Sequence, residues 1–220
     1  QLLPKKIEAF DGRRAVAVSA GAYHSLALAA DGAVWSWGRG GSGKLGHGDQ
    51  QDQLLPKKIE ALAGQRAVAV SAGEAHSIAR TADGSVWSWG VGGRGRLGHG
   101  DEQDQLLPKK VEALAGRRVV AVSVGERHNL ALTADGAVWS WGFGFYGQLG
   151  HGDTQDQPLP KEIVAFAGRH VVAVSAGEID SFAITADGSL WSWGNGGFGE
   201  LGHGDAQNQL LPKKIEALAG

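Results

Sequence analysis

A period of 52 residues runs through the sequence, and it constrains the fold more than any other feature. Its landmarks are prolines and tryptophans at constant spacing: Pro4, Pro56, Pro108, Pro160, Pro212, Trp35, Trp87, Trp139 and Trp191. Complete repeats occupy 1-52, 53-104, 105-156 and 157-208, and a partial repeat at 209-220 restarts the pattern. Repeats of this length without linkers predict one supersecondary unit copied along a single domain, here 1-220.

Apolar residues alternate with small or polar ones inside each repeat, which is the period of half-buried strands rather than of helices. In the first repeat this pattern predicts strands at 16–20, 24–28 and 34–37. The Asp31-Gly32 pair is typical of a tight hairpin turn, because glycine supplies the positive φ that such a turn needs. The Pro-bearing segment 3–7 fits a sheet edge, where a missing N–H costs least.

Four short strands in a repeat of about 50 residues match the size of one β-propeller blade. We therefore predict an all-β fold, a β-propeller built from four-stranded antiparallel blades. Both tryptophans of each third strand lie on one strand face, and each indole buries on the order of 150 to 250 Å². The tryptophans predicted to pack between blades are Trp35, Trp37, Trp87, Trp89, Trp139, Trp141, Trp191 and Trp193.

Composition narrows the partners and the compartment. The formal net charge is -2, from 21 basic and 23 acidic side chains, which gives no basic surface for direct nucleic-acid binding or for an anionic membrane. Cysteine is absent, so no disulfide framework can form, and an intracellular location, cytoplasmic or nuclear, is expected. The Gln1 start, without an initiator Met or a signal-peptide pattern, indicates an excerpt or a processed chain.

The repeat reads G-x-x-H-S-L-A-L-T-A-D-G-x-V-W-S-W-G, then G-x-L-G-H-G-D, then L-L-P-K-K-I-E-A-L. These motifs resemble the regulator-of-chromosome-condensation repeat family along the whole chain, and most closely the repeats of plant UV-B photoreceptors and of giant ubiquitin ligases. The resemblance implies seven-bladed propellers that act by surface recognition. Some members of the family are guanine-nucleotide exchange factors for a small nuclear GTPase, and one is a light-switched dimer.

Two specialised activities of that family need residues of their own. The family's light-sensing tryptophans stand in a Gly-Trp-Arg-His-Thr pattern, but the positions of that tryptophan are occupied here by Ala22, Glu74, Glu126 and Glu178. An exchange factor is expected to carry an inserted β-wedge, for which the unbroken period leaves no room. The main prediction is a non-catalytic protein-interaction scaffold. The alternatives are a GTPase exchange factor, a tryptophan-based UV-B photoreceptor dimer, and an engineered or consensus-like repeat array.

No motif predicts catalysis, a metal site or a cofactor. Gly38, Gly40 and Gly43 have the spacing of a dinucleotide-binding loop, but a Pro-bearing strand follows instead of the helix that such a loop needs. His47 and its copies recur 52 residues apart and are expected to stabilise turns rather than to converge on one ion. Asp180 replaces a strand-opening histidine and, if buried, needs a donor or a raised pKa; its role is left open.

The repeats differ most in two loop segments, the one after the third strand and the one before the second strand. Binding residues concentrate on loops held by a rigid scaffold, and aromatic residues with arginine are typical of interface hot spots. The predicted contact residues for a protein partner are Arg94, Arg96, Phe143, Phe145, Tyr146, Phe198, Tyr23 and Arg127.

The segments around 3–7 and 211–215 are copies of one element, so a closed four-bladed ring needs only one of them. The surplus copy fits an excerpt of a longer array, or an open half-ring whose end blades seek partners. An exposed sheet face that carries paired tryptophans is a large apolar patch, and such patches drive association. A homodimer that completes an eight-bladed ring is therefore the second prediction for partners.

Overall fold

The computed structural model describes residues 3, 5–10 and 12–216, and it confirms the all-β propeller fold. Within this part of the chain, sixteen strands form four antiparallel sheets of four strands each, which we call blades 1 to 4. Blade 1 contains β1 (Ala15–Ala20), β2 (His24–Ala29), β3 (Val34–Gly38) and β4 (Gln53–Lys58). Blade 2 contains β5 (Ala67–Ala72), β6 (His76–Thr81), β7 (Val86–Gly90) and β8 (Gln105–Lys110). Blade 3 contains β9 (Val119–Val124), β10 (His128–Thr133), β11 (Val138–Gly142) and β12 (Gln157–Glu162), and blade 4 contains β13 (Val171–Ala176), β14 (Asp180–Thr185), β15 (Leu190–Gly194) and β16 (Gln209–Lys214).

The helical structure in the described residues consists of short 3-10 turns. They lie at Glu8–Phe10, Gly41–Gly43, Glu60–Leu62, Gly93–Gly95, Glu112–Leu114 and Val164–Phe166. The Asp-Gly hairpins form as predicted, because Gly32, Gly84, Gly136 and Gly188 all have positive φ, between 83° and 87°.

The first strand of each blade is the innermost one. Packing between blades runs from β1 to β5, from β5 to β9 and from β9 to β13, so these strands stand side by side around a common axis. The last strand of each blade is the outermost, and it is the Pro-bearing segment with which the next repeat begins. Each blade therefore takes strands from two consecutive repeats.

The surplus copy of the outer strand is the one near the N-terminus. β16 completes blade 4, whereas the described residues among 3–7 belong to no sheet. Pro4, the first landmark of the repeat, lies outside the described residues, and so do 217–220 of the partial repeat.

The hydrophobic core is divided among the seams between neighbouring blades. Between blades 1 and 2, Leu26, Leu28 and Val34 pack against Trp89, and the same arrangement recurs at the next two seams around Trp141 and Trp193. These three indoles are completely buried. Burying an apolar side chain of this size contributes roughly 1.5–3 kcal/mol of stability, so the seams hold the blades together.

The arc of blades leaves one face uncovered at each end. We call the first the blade-1 face, formed by Val18, Trp37, Arg39 and Leu54, and the second the blade-4 face, formed by Asp180, Phe182, Ile184, Leu190 and Glu200. Val18 is 75% exposed, while its copies Val70, Val122 and Val174 are half-buried in seams. Ile184 is 40% exposed, while its copies Leu28 and Leu132 are each 3% exposed. Phe10 covers part of the blade-1 face, with its ring centroid 6.4 Å from that of Trp37.

The first testable prediction concerns a seam. Leu130 is fully buried in the seam between blades 3 and 4, so Leu130→Ala is expected to lower the free energy of unfolding by about 2–5 kcal/mol through lost contacts and the cavity left behind. The matched control is Leu159→Ala on β12 of the same blade, where the side chain is 47% exposed; its loss should stay within about 1 kcal/mol. Urea unfolding measures both variants, and equal losses would contradict a core located in the seams.

Candidate functional site

The loops after the third strands form one rim of the propeller, and the same backbone hydrogen bond recurs in all four of them. In each loop a side-chain oxygen accepts the N–H of a glycine near the loop's start: Asp52 from Gly40 at 2.8 Å, Asp104 from Gly92 at 2.9 Å, Asp156 from Gly144 at 2.9 Å, and Asn208 from Gly196 at 3.0 Å. The histidine of each Gly-His-Gly-Asp turn binds the serine hydroxyl of the third strand, as His47 binds Ser36 at 3.0 Å. The rim loops therefore share one shape and differ in the side chains they present.

The glycines of this rim serve packing rather than phosphate binding. A side chain at Gly43 would collide with Leu106 of the next blade, and one at Gly40 would collide with the carbonyl of Gln51. The helical structure in this loop is a single 3-10 turn, Gly41–Gly43, which lies within the glycine pattern itself. The helix N-terminus that holds a nucleotide pyrophosphate in such loops is absent from this described segment.

Four of the predicted contact residues come together on the rim between blades 2 and 3, and we call them the aromatic patch: Arg94, Phe143, Phe145 and Tyr146. The rings of Phe143 and Phe145 are stacked with centroids 6.2 Å apart, and Tyr146 stands edge-on to Phe145 at 5.2 Å. Together with Thr154, Gln155 and Asp156 they line an open groove of about 510 Å³. Phe145 is 63% exposed, an unusual exposure for a large aromatic ring.

Arg94 contacts both an aromatic ring and a carboxylate of the rim. Its guanidinium lies 5.7 Å from the ring centroid of Phe143 and 3.3 Å from a carboxylate oxygen of Asp156. Because the Arg94 side chain is 62% exposed, this ion pair contributes little to stability. The groove thus offers aromatic faces, one cation and one carboxylate within a few ångströms of each other.

Arg96 was predicted as an exposed contact residue, and the structure shows that it is buried. It is 6% exposed, its Nε–H donates to the carbonyl of Gly93 at 2.9 Å, and its guanidinium lies 3.8 Å from Glu74. The reason is positional, because Arg96 and its copies Lys44 and Gln148 all lie beneath the neighbouring blade and are all buried. Arg96 therefore supports the rim from inside the seam.

The other predicted contact residues lie apart from the aromatic patch. Tyr23 is 61% exposed and lines an opening of about 450 Å³ on the propeller axis, to which all four blades contribute. Arg127 stands beside this opening, where it pairs with Glu74 at 3.0 Å and with Glu126 at 3.1 Å. Phe198 is 96% exposed on blade 4 and does not line the groove.

Asp156 lines the groove but was not among the residues predicted from the sequence. Its 52-residue spacing from Asp52 and Asp104 marked it as part of the loop frame.

Buried histidines cross every internal seam. The Nε2 atoms of His24, His76 and His128 lie 2.7–2.9 Å from Ser77, Asn129 and Ser181 of the following blade. Ser77 in turn donates to the carbonyl of Lys44 at 2.9 Å, and the amide of Asn129 donates to that of Arg96 at 2.8 Å. Because these hydroxyl and amide hydrogens are used elsewhere, the serine and asparagine oxygens accept from the histidines, which donate through Nε2–H.

Burial is the main cause that keeps these rings neutral. It lowers the pKa of His76 from 6.5 to about 3, and it lowers the pKa of His24 and His128 to about 4. Asp180 stands at the same position on the blade-4 face, where desolvation and then the carboxylates of Glu200 and Glu178 raise its pKa. The expectation for Asp180 applied to a fully buried carboxylate, and the structure shows it only half-buried, because no blade covers it.

Among the described residues, no helix is both long and apolar enough to cross a membrane. The same residues contain no cluster of three or more His, Asp or Glu side chains arranged to hold a metal ion.

Comparison with known proteins gives a consistent result. The family model of the RCC1-like domain matches residues 1–220. The ultraviolet-B receptor UVR8 of Arabidopsis thaliana is 44% identical over 209 residues, which are 94% of this chain and 48% of that protein. The human E3 ubiquitin-protein ligase HERC2 is 45% identical over 207 residues, which are 93% of this chain and 4% of that protein. The chain therefore spans about half or less of the length of these relatives.

Solved structures agree with the sequence comparisons. Human WBSCR16 superposes with a TM-score of 0.84 at 27% identity, over 91% of this chain and 52% of that chain. Yeast RCC1 (Prp20), in a crystal structure with Kap60, superposes with a TM-score of 0.81 at 26% identity, over 94% of this chain and 50% of that chain. The resemblance to the chromosome-condensation repeats and the propeller architecture are both confirmed.

The second testable prediction concerns pH. The unfolded chain protonates His76 near pH 6.5, whereas the folded chain keeps it neutral down to about pH 3, so stability falls as the pH is lowered between these values. Removing this titration with His76→Gln should make the free energy of unfolding fall by about 1 kcal/mol less between pH 6 and pH 5 than it does in the parent chain. Urea unfolding at both pH values measures the difference.

The matched control for this experiment is His170→Gln, which replaces an exposed histidine and leaves the seam histidines in place. A pH dependence that is identical in the parent chain and the His76 variant would show that the buried seam histidine is not held neutral.

Proposed function

Because the chain belongs to the RCC1-like domain family, we propose that it is a non-catalytic protein-interaction scaffold whose variable rim loops bind a protein partner. The observation that carries the proposal is the aromatic patch. Three aromatic rings contact each other on an exposed loop, beside an arginine and a carboxylate. Aromatic residues and arginine dominate the energetics of protein interfaces, and here they stand on a frame that keeps the loop backbone fixed.

The relatives support recognition of proteins in general. The solved structures include yeast RCC1 bound to Kap60, and one whose subject is the binding of Prp20p to Gsp1p and histones. In the HERC ligase the matched segment is 4% of the protein, so the resemblance concerns the propeller and not the ligase reaction. We propose for this chain the same kind of activity, capture of a protein on the propeller surface.

The groove has the dimensions and chemistry of a peptide or loop site. Its volume is about 510 Å³, within the range of sites that bury a few side chains. The Phe145 and Tyr146 rings provide apolar faces, while Asp156 and Arg94 at the rim of the groove select polar or charged neighbours. We propose that an exposed segment of the partner, with at least one apolar side chain, docks here.

The third testable prediction removes the aromatic patch. The triple variant Phe143→Ser, Phe145→Ser, Tyr146→Ser should abolish partner capture while the unfolding midpoint stays near that of the parent chain, because these rings lie on the rim outside the seam cores. Affinity capture from cell extract, identification by mass spectrometry and titration with the purified partner measure the effect.

The control for the patch is Phe198→Ser, which removes a still more exposed aromatic ring that lies outside the groove and should preserve capture. Unchanged capture by the triple variant would overturn the patch. Accelerated release of GDP from a small GTPase would favour the exchange-factor alternative, and a solution mass that falls under UV-B light would favour the photoreceptor alternative.

A second proposal concerns copies of the chain itself. We propose that the exposed blade-1 and blade-4 faces make the chain associate with another copy. They expose apolar groups whose copies are buried or half-buried wherever a neighbouring blade is present, including Val18 at 75% and Ile184 at 40% exposure. Contiguous apolar patches of this kind mark association surfaces on proteins.

The fourth testable prediction is the solution mass. Light scattering across a concentration series should give a species of twice the chain's 22.9 kDa that dissociates on dilution, because burial of the two faces drives association. A mass equal to that of one chain at every concentration would contradict self-association and would leave the proposal for the aromatic patch intact.

A further inference from the structure

The three internal seams repeat one set of backbone contacts. In each, a rim-loop glycine donates its N–H to the outer strand of the following blade: Gly48 to Leu106 at 3.0 Å, Gly100 to Pro158 at 2.9 Å, and Gly152 to Leu210 at 2.9 Å. The next donor in this series is Gly204 on blade 4, and the corresponding acceptor is the carbonyl of Leu54 on blade 1. In the described part of the chain, these two groups have no partner of this kind.

A contact between a leucine of the outer strand and a glycine of the preceding rim loop is also incomplete at the two end faces. Leu106 and Leu210 lie against the glycines of the preceding rim loops, Gly43 and Gly147. On the blade-1 face the equivalent Leu54 is 93% exposed, and on the blade-4 face a side chain at the equivalent Gly199 would meet only the carbonyl of Asp205, at 3.9 Å. Each end face therefore carries one half of a contact that the internal seams show complete.

Charges on the end faces differ from those of the internal seams in a complementary way. At two of the three internal seams, a basic residue of one rim loop is attracted electrostatically to a glutamate of the next blade, Lys44 to Glu74 and Arg96 to Glu126, while the third seam has the neutral Gln148 at this position. The two end faces lack this pair of charges, because blade 4 has Glu200 in place of the basic residue and blade 1 has Ala22 in place of the glutamate. A glutamate at position 22 would repel Glu200, and the chain has none there.

A joint built in the register of the internal seams would place Arg39 opposite Glu200. In every internal seam, the glycine that ends the third strand lies against the Cα of the rim-loop residue before it, as Gly90 does against Lys44 and Gly142 against Arg96. The equivalent pair across an end-to-end joint is Gly38 and Glu200, which brings the adjacent Arg39 to the carboxylate. Among the described residues neither Arg39 nor Glu200 has an ion-pair partner. The Glu200 carboxylate accepts hydrogen bonds from the Asn195 amide and the Phe198 N–H of its own loop, and Arg39 lies over the ring of Tyr23.

The rim also carries a pair formed by an arginine and an aromatic ring, and the end faces have these two residue types at exchanged positions. Between blades 2 and 3, Arg94 of the earlier loop lies over Phe143 of the later one. At the corresponding positions of an end-to-end joint, the earlier loop has Phe198 and the later one has Arg39. A joint in this register would again place an arginine opposite an aromatic ring, with the two residue types on exchanged sides.

We infer that two copies join head to tail, with the blade-4 face of each against the blade-1 face of the other, and that two such joints close an eight-bladed ring. The inference rests on the self-association proposed above and adds its register: Glu200 against Arg39, Gly199 against Leu54, and the Gly204 N–H on the Leu54 carbonyl. Eight blades lie within the usual range for propellers.

The fifth testable prediction reverses the charges of the joint. Glu200→Arg and Arg39→Glu, each alone, place like charges together at both joints and should raise the dissociation constant of the two-chain species about tenfold or more. An equimolar mixture of the two variants should restore the parent affinity, because in a mixed ring each joint again contains one positive and one negative charge. Sedimentation velocity measures all three samples.

Matched controls are Glu162→Arg and Lys161→Glu, the same charge reversals on exposed β12 residues outside both end faces; they should leave the dissociation constant unchanged. Restoration in the mixture would also show that the single variants are folded. Single variants that associate like the controls, in a parent chain that dimerises, would overturn the head-to-tail register and leave self-association standing. A parent mass that keeps growing with concentration beyond two chains would overturn ring closure, and a single-chain mass throughout would overturn both proposals.

Discussion

Everything in this propeller depends on burying an indole in each seam between two blades. Trp89 and Trp193 satisfy their N–H groups by donating to rim-loop carbonyls, those of Lys44 and Gln148, each at 2.9 Å. At the middle seam the equivalent carbonyl, that of Arg96, accepts from the Asn129 amide at 2.8 Å, and the N–H of Trp141 has no hydrogen-bond partner among the described residues. The rim loop is therefore held by the seam beneath it, because its main chain is part of the hydrogen-bonding that makes burial of the seam favourable. This explains why the loop backbone repeats while its side chains vary.

Much of the fold could be predicted from the sequence because its determinants are local. The strand alternation, the Asp-Gly turns and the Pro-bearing edge strands each depend on residues a few positions apart, and a constant period multiplies each signal. The site was less accessible. Arg96 has the composition of a contact residue, and only the burial of Lys44 and Gln148 at equivalent positions reveals that it lies under a blade. Tyr23, Arg127 and Phe198 resemble the aromatic patch in residue type, but their separation in space depends on the angle between blades, which no sequence spacing encodes.

The chemistry of the rim suits recognition better than catalysis. Buried histidines, which are the groups best suited to proton transfer near neutral pH, are committed to neutral hydrogen bonds across the seams, and burial moves their pKa values far from neutrality. The groups that remain exposed are aromatic rings, guanidinium groups and carboxylates on a rigid frame. Each blade presents a different selection of them, so one side of the molecule offers neighbouring surfaces of different character on a single backbone shape.

The offset between blade and repeat has a consequence for how such a chain can change over generations. Since the outer strand of a blade belongs to the following repeat, the covalent chain passes through every seam. A duplication of any 52 consecutive residues, wherever it starts, therefore inserts one whole blade together with one whole seam, and the neighbours meet surfaces they already fit. The duplicated segment need not begin at a blade boundary, so recombination can add a blade to the array without producing a protein that misfolds.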